Sequence, residues 1–600
     1  MATDHHSERD EWRLGGEPAE RHPAERVQPI PLRPREYPRE RLERQVAIVT
    51  AEGLYWTILA LYAVISRLLF LGSRPLSPRE AIHAATALDT IRLGIAPAPP
   101  NFWIQMLDAA TIGLFGASDF GARILFALSG IALVLIALAL RPYIGKIGAL
   151  AMATLILLSP SITYFSRSGV TQGPALLAVL IAIELWFAIA RTPNAARSAG
   201  LGCVIGLSLA ANAQNLVLAL IFVAALLVIG TWRLTITNEA WMRVRIWWRR
   251  RSRLLIVTAL VAVLVWTMLE TGFYAQPFLT LAAAAARSNW QAAAPHGSAL
   301  PVYLGLFGFY EFLIVAAAII GALAMLLNLA GARSEFGIFA LLWTILAAGF
   351  FMTTPAFAPA WIIEILIPAA LLGGIGLEAL SRTWSWNLFF YPLATLALLT
   401  FYVQIATNFA VVAPDPSEAP WARHALLFWS EPVTTIGIAD ALHSLEDAAP
   451  ITPRTAWIES NSAVLKWYLR DLKPAENAVS ADLIAGASKP PPGWRVGNQA
   501  TFEAAEWWHP DFSGLSPRRA VLFLLLQSAW QPFQSRETTV LVRSENHSAP
   551  TTIYAPPPAL PAAISSPGAI AGVETGPAAS TATPTASPTP SPATSSSAAP

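Results

Sequence analysis

GARILFALSGIALVLIALAL, at residues 121–140, and IGALAMATLILLSPSITYF, at residues 147–165, are two apolar runs separated by the short basic turn RPYIGK. Each run has the length of about 20 residues that an α-helix needs to cross the roughly 30 Å apolar core of a bilayer. No acidic residue interrupts either run. Because backbone polar groups inside a bilayer must be hydrogen bonded within the segment, both runs are predicted to be membrane-spanning helices.

Comparable runs recur along the chain and predict a polytopic α-helical membrane protein with about eleven spans. The predicted spans lie near residues 48–72, 121–140, 147–165, 170–190, 198–213, 214–232, 254–272, 303–329, 336–354, 360–380 and 388–412. The overall composition agrees with this class, since 54% of the residues are hydrophobic and only 13% are charged. Such values lie outside the range of soluble globular proteins.

Net charge and cysteine content exclude several classes of function. A formal charge of +2 is too small to argue for nucleic acid as a partner. The single cysteine, Cys203, excludes an intramolecular disulfide framework and a cysteine metal cluster. No His or Cys spacing typical of a metal site and no phosphate-binding glycine loop occurs, so we predict neither a bound metal nor a cofactor.

The positions of the arginines predict the orientation in the cell membrane. Cytoplasmic loops carry an excess of Lys and Arg, and the loop 233–253 contains seven arginines against the single acid Glu239. RNA binding is an alternative interpretation of this loop, but a segment on anionic lipid is the simpler one.

With the N-terminus inside, an odd number of spans leaves the C-terminal part extracytoplasmic. The predicted divisions are a disordered cytoplasmic tail (1–47), a membrane domain (48–412), an extracytoplasmic α/β domain (413–550) and a disordered tail rich in Pro, Ala, Ser and Thr (551–600).

The first outer loop, residues 73–120, is predicted to contain two helices along the membrane surface. Ser77 followed by Pro78, with Glu80 in the first turn, is a typical helix start. A carboxylate at Glu80 could act as a general base toward an acceptor hydroxyl. The alternative is that Glu80 only caps the helix and complements its dipole. His83 shares the helix face of Glu80 and is a candidate for lining a cavity.

Charged residues near the predicted membrane boundary are further candidates. Arg167 closes the third span on the outer side, where a lipid phosphate would be a suitable partner for its guanidinium group. Snorkelling to the headgroups is the alternative. Glu364 lies at span depth near the outer surface and is a candidate for lining a wet cavity.

Three motifs, in this order, resemble those of the C-type glycosyltransferases. They are FGASDFGARILFALSG at the start of the second span, LLSPSITYFSRSG at the end of the third, and AVLKWYLRD near the C-terminus. The most similar group within that superfamily is the relatives of the protein O-mannosyltransferases of glycosyltransferase family 39 known as flippase-activity-associated membrane proteins. The resemblance covers roughly residues 50–545.

The resemblance implies transfer of a sugar from a polyprenyl- or dolichyl-phosphate donor to a glycan or protein acceptor outside the cytoplasm. It implies Glu80 as the candidate base and Arg167, with Arg79 or Arg123, as partners of the lipid phosphate. An Asp-Glu pair is expected where this chain has Arg79-Glu80, and an acid where it has Gln172, which is then a cavity candidate. Arg123 has the alternative role of anchoring the second span at the interface.

Because two expected acids are missing, an inactive or repurposed member is an open alternative. The rival function is a non-catalytic accessory protein that helps to flip or present lipid-linked sugars. An ion-coupled transporter is a third interpretation, and it is opposed by the lack of an internal repeat in the sequence.

Overall fold

The computed structural model describes most of the chain between residues 51 and 552. The described residues are 51–94, 102–212, 214–236, 240–271, 299–332, 334–354, 359–383, 405, 433–434, 455–459, 462–487, 489–492, 495–507, 515–526, 531–532, 534–543 and 551–552. The chain divides into two compact units, Met1–Thr57 and Ile58–Pro600, and the contacts given below lie within the second. The predicted tail 1–47 lies outside the described residues, as do 553–600 and nearly all of the eleventh predicted span, 388–412.

The described residues are mainly helical. The helices are α1 (Ala51–Leu68), α2 (Pro78–Leu93), α3 (Phe102–Phe115), α4 (Ile124–Ile144), α5 (Lys146–Leu158), α6 (Pro160–Arg167), α7 (Gln172–Arg191), α8 (Ala195–Ala211), α9 (Gln214–Ile236), α10 (Ala240–Glu270), α11 (Ala299–Phe309), α12 (Phe312–Leu326), α13 (Glu335–Thr353), α14 (Ile362–Thr383), α15 (Ala463–Tyr468) and α16 (Pro517–Leu526).

Among the described residues, α4, α7, α9, α10, α13 and α14 are long and apolar enough to cross a membrane. The pairs α5/α6 and α11/α12 pass the same test together, but they bend by 64° and 93° where the two helices of each pair meet. In the described part of the chain, helices occupy the first ten predicted span positions, and the eleventh, 388–412, lies almost wholly outside the described residues. The number of segments that cross the bilayer, and therefore the count of eleven, stays a prediction.

Helix α14 is at the centre of the bundle, with 89% of its membrane-length window buried. Small residues allow its neighbours to approach closely. A Cβ atom on Gly374 would lie 2.6 Å from the carbonyl oxygen of Gly148 in α5, and one on Gly376 would lie 2.5 Å from the Cα atom of Gly321 in α12. Such backbone contacts are a common basis of helix association in membranes, where the surrounding lipid is as apolar as the side chains.

The break between α5 and α6 is stabilised by two buried charged side chains. Ser159 caps α6 through its hydroxyl, and Pro160 occupies the first helical position. On the α6 side, the Glu311 carboxylate accepts hydrogen bonds from Ser159 Oγ (2.8 Å) and Ser161 N (2.9 Å). On the α5 side, Arg67 donates to the carbonyl oxygens of Ile156 and Leu157, each at 3.4 Å. The backbone N–H and C=O groups that lose their helical hydrogen bonds at the break are therefore hydrogen bonded to side chains inside the bundle. At membrane depth such groups must be hydrogen bonded within the protein.

The first outer loop contains the two predicted helices, α2 and α3. The expected start of α2 is confirmed, because Ser77 and Glu80 form a complete capping box. Gly116 follows α3 with a φ of 86°. Helices α2 and α3 pack against each other, and the buried face of α2 carries Glu80 toward the bundle.

Strands between residues 433 and 552 form a seven-stranded mixed sheet. The strands are β1 (Val433–Thr434), β2 (Thr455–Ile458), β3 (Lys473–Pro474), β4 (Leu483–Ala485), β5 (Val496–Trp507), β6 (Gln534–Arg543) and β7 (Thr551–Thr552). Their order is β1-β5-β6-β4-β2-β3, with β7 also paired to β5. Strands β2, β3 and β4 are parallel to one another, whereas β6 is antiparallel to both β4 and β5. Helix α15 follows β2 and packs against α2 of the outer loop.

Candidate functional site

Arg167, at the end of α6, holds the turn that follows α1. Its Nη1 atom donates to the carbonyl oxygens of Ser66 (3.0 Å), Arg67 (3.1 Å) and Leu69 (2.8 Å), and Nη2 donates to Phe70 O (3.1 Å). Ser66 and Arg67 lie in the last turn of α1, where a helix leaves carbonyl groups without partners, and Leu69 and Phe70 follow in the turn. Phe70 has a φ of 52°, a left-handed conformation that is costly for a bulky residue and that the two adjacent carbonyl contacts help to hold.

Glu80 is fully engaged by hydrogen bonds. Its Oε1 atom accepts from Arg123 Nε and from Gly169 N, both at 2.8 Å. Its Oε2 atom accepts from Ser77 N at 2.8 Å and from Arg123 Nη2 at 3.0 Å. Burial alone would raise the pKa of the Glu80 carboxyl, but the Arg123 guanidinium and the two backbone N–H groups bring it below its ordinary value. A carboxylate in these surroundings is a weak base.

Arg123 uses all five of its N–H donors within the protein. Besides the Glu80 carboxylate, it reaches the carbonyl oxygens of Leu71 (3.2 Å), Arg74 (2.6 Å) and Pro75 (2.9 Å). Both side chains of the Glu80–Arg123 pair are buried, with 5% and 7% of their surfaces exposed. The pair therefore fixes the loop between α1 and α2 against the start of α4.

These groups line a pocket between the loop after α1, the start of α4 and the end of α6. Its lining residues are Phe70, Leu71, Arg74, Pro75, Ser77, Glu80, Arg123, Tyr164, Arg167 and Ser168. Three of them are arginines and one is an acid, so the lining carries an excess of two positive charges. Burial and the neighbouring Arg123 lower the pKa of Arg74, while Tyr164 acts in the opposite direction. An anion in the pocket would relieve the repulsion among these cations.

Of the residues expected from the sequence, the pocket brings together Glu80, Arg123 and Arg167. The other four candidates, Arg79, His83, Gln172 and Glu364, do not line it. His83 is half-buried on α2, and burial together with the charge of Arg79 lowers its pKa. Gln172 is buried at the first position of α7.

Glu364 lies away from this pocket, inside the bundle. It is completely buried in α14, and neither carboxylate oxygen has a hydrogen-bond partner among the described residues. The cavity role expected for Glu364 stays a prediction, and the pocket formed by the described residues around Glu80 gives no support to it.

Three charged residues of this region escaped the sequence analysis. Arg74 lines the pocket from a loop in which an isolated arginine gives no signal of its own. Arg67 resembled an ordinary basic residue at the end of a span, yet it is buried in the bundle. Asp108, on α3, has only 1% of its surface exposed and no hydrogen-bond partner for either carboxylate oxygen in the described part of the chain. Burial raises the pKa of Asp108 to about 8. Its position within an apolar helix could have pointed to it.

No family model matches the sequence, and no curated protein matches it. Solved structures with a similar course of the chain include ArnT from Cupriavidus metallidurans bound to undecaprenyl phosphate. That match has a TM-score of 0.49 and 14% identity, and it covers 71% of this chain and 86% of ArnT. The oligosaccharyltransferase of Archaeoglobus fulgidus, tethered to an acceptor peptide, matches with a TM-score of 0.45 and 13% identity over 72% of this chain and 64% of its own.

This chain therefore spans less than two thirds of the oligosaccharyltransferase. Both proteins have the C-type glycosyltransferase fold that the sequence motifs resemble. At this level of similarity the matches concern the course of the chain alone, and the narrower resemblance to glycosyltransferase family 39 stays a prediction.

Proposed function

We propose that this protein is a membrane glycosyltransferase that takes a sugar from a polyprenyl- or dolichyl-phosphate donor and transfers it to a glycan or protein acceptor on the extracytoplasmic face. The observation that carries the proposal is the pocket lined by Arg74, Arg123, Arg167 and Glu80. A phosphate group matches its excess positive charge, and because all five N–H donors of Arg123 are engaged within the protein, direct hydrogen bonds to a phosphate would come from Arg74 or Arg167.

Apolar surface beside the pocket favours a lipid phosphate over a soluble one. Phe70 lines the pocket and exposes 48% of its surface, and Leu69 and Ile65, near the end of α1, expose 44% and 45%. Helix α1 lies within the first predicted span, residues 48–72, and exposed apolar side chains of a span face lipid. The isoprenoid chain of a lipid phosphate bound in the pocket could therefore lie along this surface without crossing a polar region.

The sequence prediction assigns the base of the transfer step to Glu80. Its four hydrogen bonds and lowered pKa favour a different role, in which the carboxylate holds Arg123 in place. Because the Glu80 carboxylate is engaged in hydrogen bonds, it also favours the second candidate function. This is a non-catalytic protein that binds lipid-linked sugars and presents or helps to flip them. Both candidates share the phosphate pocket and differ in whether transfer follows.

Purified protein in lipid nanodiscs, incubated with radiolabelled polyprenyl-phosphate sugars, separates the two. Binding with transfer to acceptor supports the enzyme, and binding without transfer supports the accessory protein. Absence of binding would exclude the phosphate pocket and both candidates with it. Transfer that is unchanged in Glu80→Gln would exclude Glu80 as the base.

The pocket itself is tested with undecaprenyl phosphate, the lipid bound to ArnT. We expect Arg167→Gln and, as a second variant, Arg74→Gln to weaken binding, because each removes one of the excess charges. Arg197→Gln is the matched control, since Arg197 is exposed in the first turn of α8 and does not line the pocket. Equal affinity in folded Arg167→Gln, folded Arg74→Gln and the control would contradict the assignment.

A further inference from the structure

Asp119 joins the sheet region to the outer loop. Its Oδ1 atom accepts a hydrogen bond from Trp467 Nε1 at 2.8 Å, and its Oδ2 atom accepts one from Tyr468 O–H at 2.6 Å. Arg470 donates to Ala117 O at 2.6 Å. Three residues in and just after α15 thus contact one short segment that immediately precedes Arg123.

One peptide group lies between Tyr468 and Arg123. The amide N–H of Leu76 donates to the Tyr468 hydroxyl at 2.9 Å. The carbonyl oxygen of the same peptide bond, Pro75 O, accepts from Arg123 Nη2 at 2.9 Å. A displacement of the Tyr468 hydroxyl therefore moves an acceptor of the Arg123 guanidinium. Burial and the Asp119 carboxylate raise the pKa of Tyr468, so its hydroxyl remains protonated and able to donate.

Apolar packing stabilises the contact between α15 and the loop. Trp467 is completely buried, and with Val464 and Leu465 it belongs to a cluster that includes Leu76 and residues of α2 and α3. Burying side chains of this size stabilises the contact. This packing fixes the position of the Tyr468 hydroxyl. The hydroxyl in turn fixes the position of the Leu76 amide group that donates to it.

We propose that Tyr468 is a positioning residue of the phosphate pocket, which couples the docking of α15 to the affinity of the pocket for a lipid phosphate. The proposal rests on the function proposed above. Tyr468 fixes the Pro75–Leu76 peptide, this peptide and Glu80 fix Arg123, and Arg123 forms one wall of the pocket. By linkage, a ligand that orders Arg123 also strengthens the docking of α15 on the loop.

The test removes one hydroxyl group. In Tyr468→Phe we expect affinity for undecaprenyl phosphate to fall by about 3- to 10-fold, the usual effect of losing a single hydrogen bond, with a single cooperative unfolding transition as the sign of an intact fold. Amide hydrogen exchange of the segment 70–80 is expected to increase in the same variant. In the native protein the ligand should slow exchange in residues 463–471, and this protection should be weaker in Tyr468→Phe.

Asp471→Asn is the matched control. It removes an ion pair between Arg92 and Asp471 (3.1 Å) that joins the same two elements but is exposed on both sides and absent from the pocket lining. Equal affinity of Tyr468→Phe and the native protein would overturn the proposal while leaving the phosphate pocket intact. If the native protein binds no undecaprenyl phosphate, the proposed function fails, and unchanged exchange of segment 70–80 in Tyr468→Phe would then overturn the positioning role separately.

Discussion

Arg123 and Glu80 each neutralise the buried charge of the other, so that the stability of the fold depends on both. Removing one partner of a buried ion pair leaves an uncompensated charge, which typically costs about 3–5 kcal/mol. We therefore expect Arg123→Met to lower the free energy of unfolding by an amount in this range, measured as a fall in the thermal unfolding temperature in detergent. The double variant Arg123→Met, Glu80→Gln should recover part of the loss, because no unpaired charge remains. A single variant as stable as the native protein would show that the pair contributes nothing.

Asp108 gives a pH-dependent prediction. Burial raises its pKa from 3.8 to about 8. Folding therefore favours the protonated carboxyl, and its contribution to stability is complete below pH 4 and is lost as the pH rises toward 8. Asp108→Asn keeps the neutral form at every pH. We expect this variant and the native protein to unfold at similar temperatures at pH 4, and the variant to be the more stable at pH 8.

The matched control for Asp108 is Asp89→Asn, at an exposed position of α2. It should show no such divergence between pH 4 and pH 8. A constant difference between Asp108→Asn and the native protein over this range would contradict the raised pKa.

At the residue scale, local roles could be predicted from the sequence and distant partners could not. The segment Ser77-Pro78-Arg79-Glu80 contains the whole signal for a capped helix start, and the structure has that cap. The ion pair with Arg123 joins positions 43 residues apart. Nothing in the spacing of the two residues indicates that pairing, because it depends on how α2 packs against the bundle. The local sequence left two roles open for Glu80, a general base and a helix cap, and in the structure its carboxylate accepts four hydrogen bonds.

Helix packing between α4 and α6 depends on a glycine. A Cβ atom on Gly130 would lie 2.3 Å from the Cβ atom of Ser166, a distance that no side chain tolerates. We expect Gly130→Ala to force the two helices apart and to destabilise the fold by about 1–3 kcal/mol, as overpacked cores do. Because Arg167 follows Ser166, the same variant should also weaken binding of undecaprenyl phosphate.

Gly113→Ala on α3 is the control, since a Cβ atom there meets nothing within 4 Å. It should stabilise the helix by about 0.5–1 kcal/mol, because alanine loses less backbone entropy than glycine in a helix. Thermal unfolding of the two variants in detergent measures both effects. Equal effects of the two substitutions would contradict the close contact at Gly130.

At the element scale, hydrophobic periodicity located the helices but gave no sign of their bends. Ser159-Pro160 is a helix-start signal inside a continuous apolar run, and the sequence analysis placed it within one span. The break before α12 has no comparable local signal, since Glu311 caps it without a side-chain hydrogen bond to its own helix. That carboxylate serves the start of α6 instead. Breaks of this kind depend on hydrogen-bond partners on other helices. The hydrophobicity of a single apolar run carries no information about those partners.

At the scale of the whole molecule, the outer loop and the sheet region behave as one assembly. Helix α15 packs on α2, and its Trp467 and Tyr468 bond to Asp119 beside the pocket. The sequence analysis placed both parts on the outer side of the membrane from charge bias alone, and their contact requires that they share a side. It could not anticipate the contact itself, because the motif AVLKWYLRD and the loop are separated by more than 300 residues of chain.

The side that this assembly faces can be measured by thiol labelling, because Cys203 is the only cysteine. In a Cys203→Ser background, we expect Asp89→Cys and Val479→Cys, both exposed, to react with a membrane-impermeant maleimide in intact cells. Arg197→Cys, in the first turn of α8 and on the side predicted to be cytoplasmic, should react only after permeabilisation. Protection of both outer positions with labelling at residue 197 would invert the orientation and exclude transfer on the extracytoplasmic face, while the contact between α15 and the loop would stand. Labelling of only one of positions 89 and 479 would place them on opposite sides of the bilayer, which the packing of α15 on α2 does not allow.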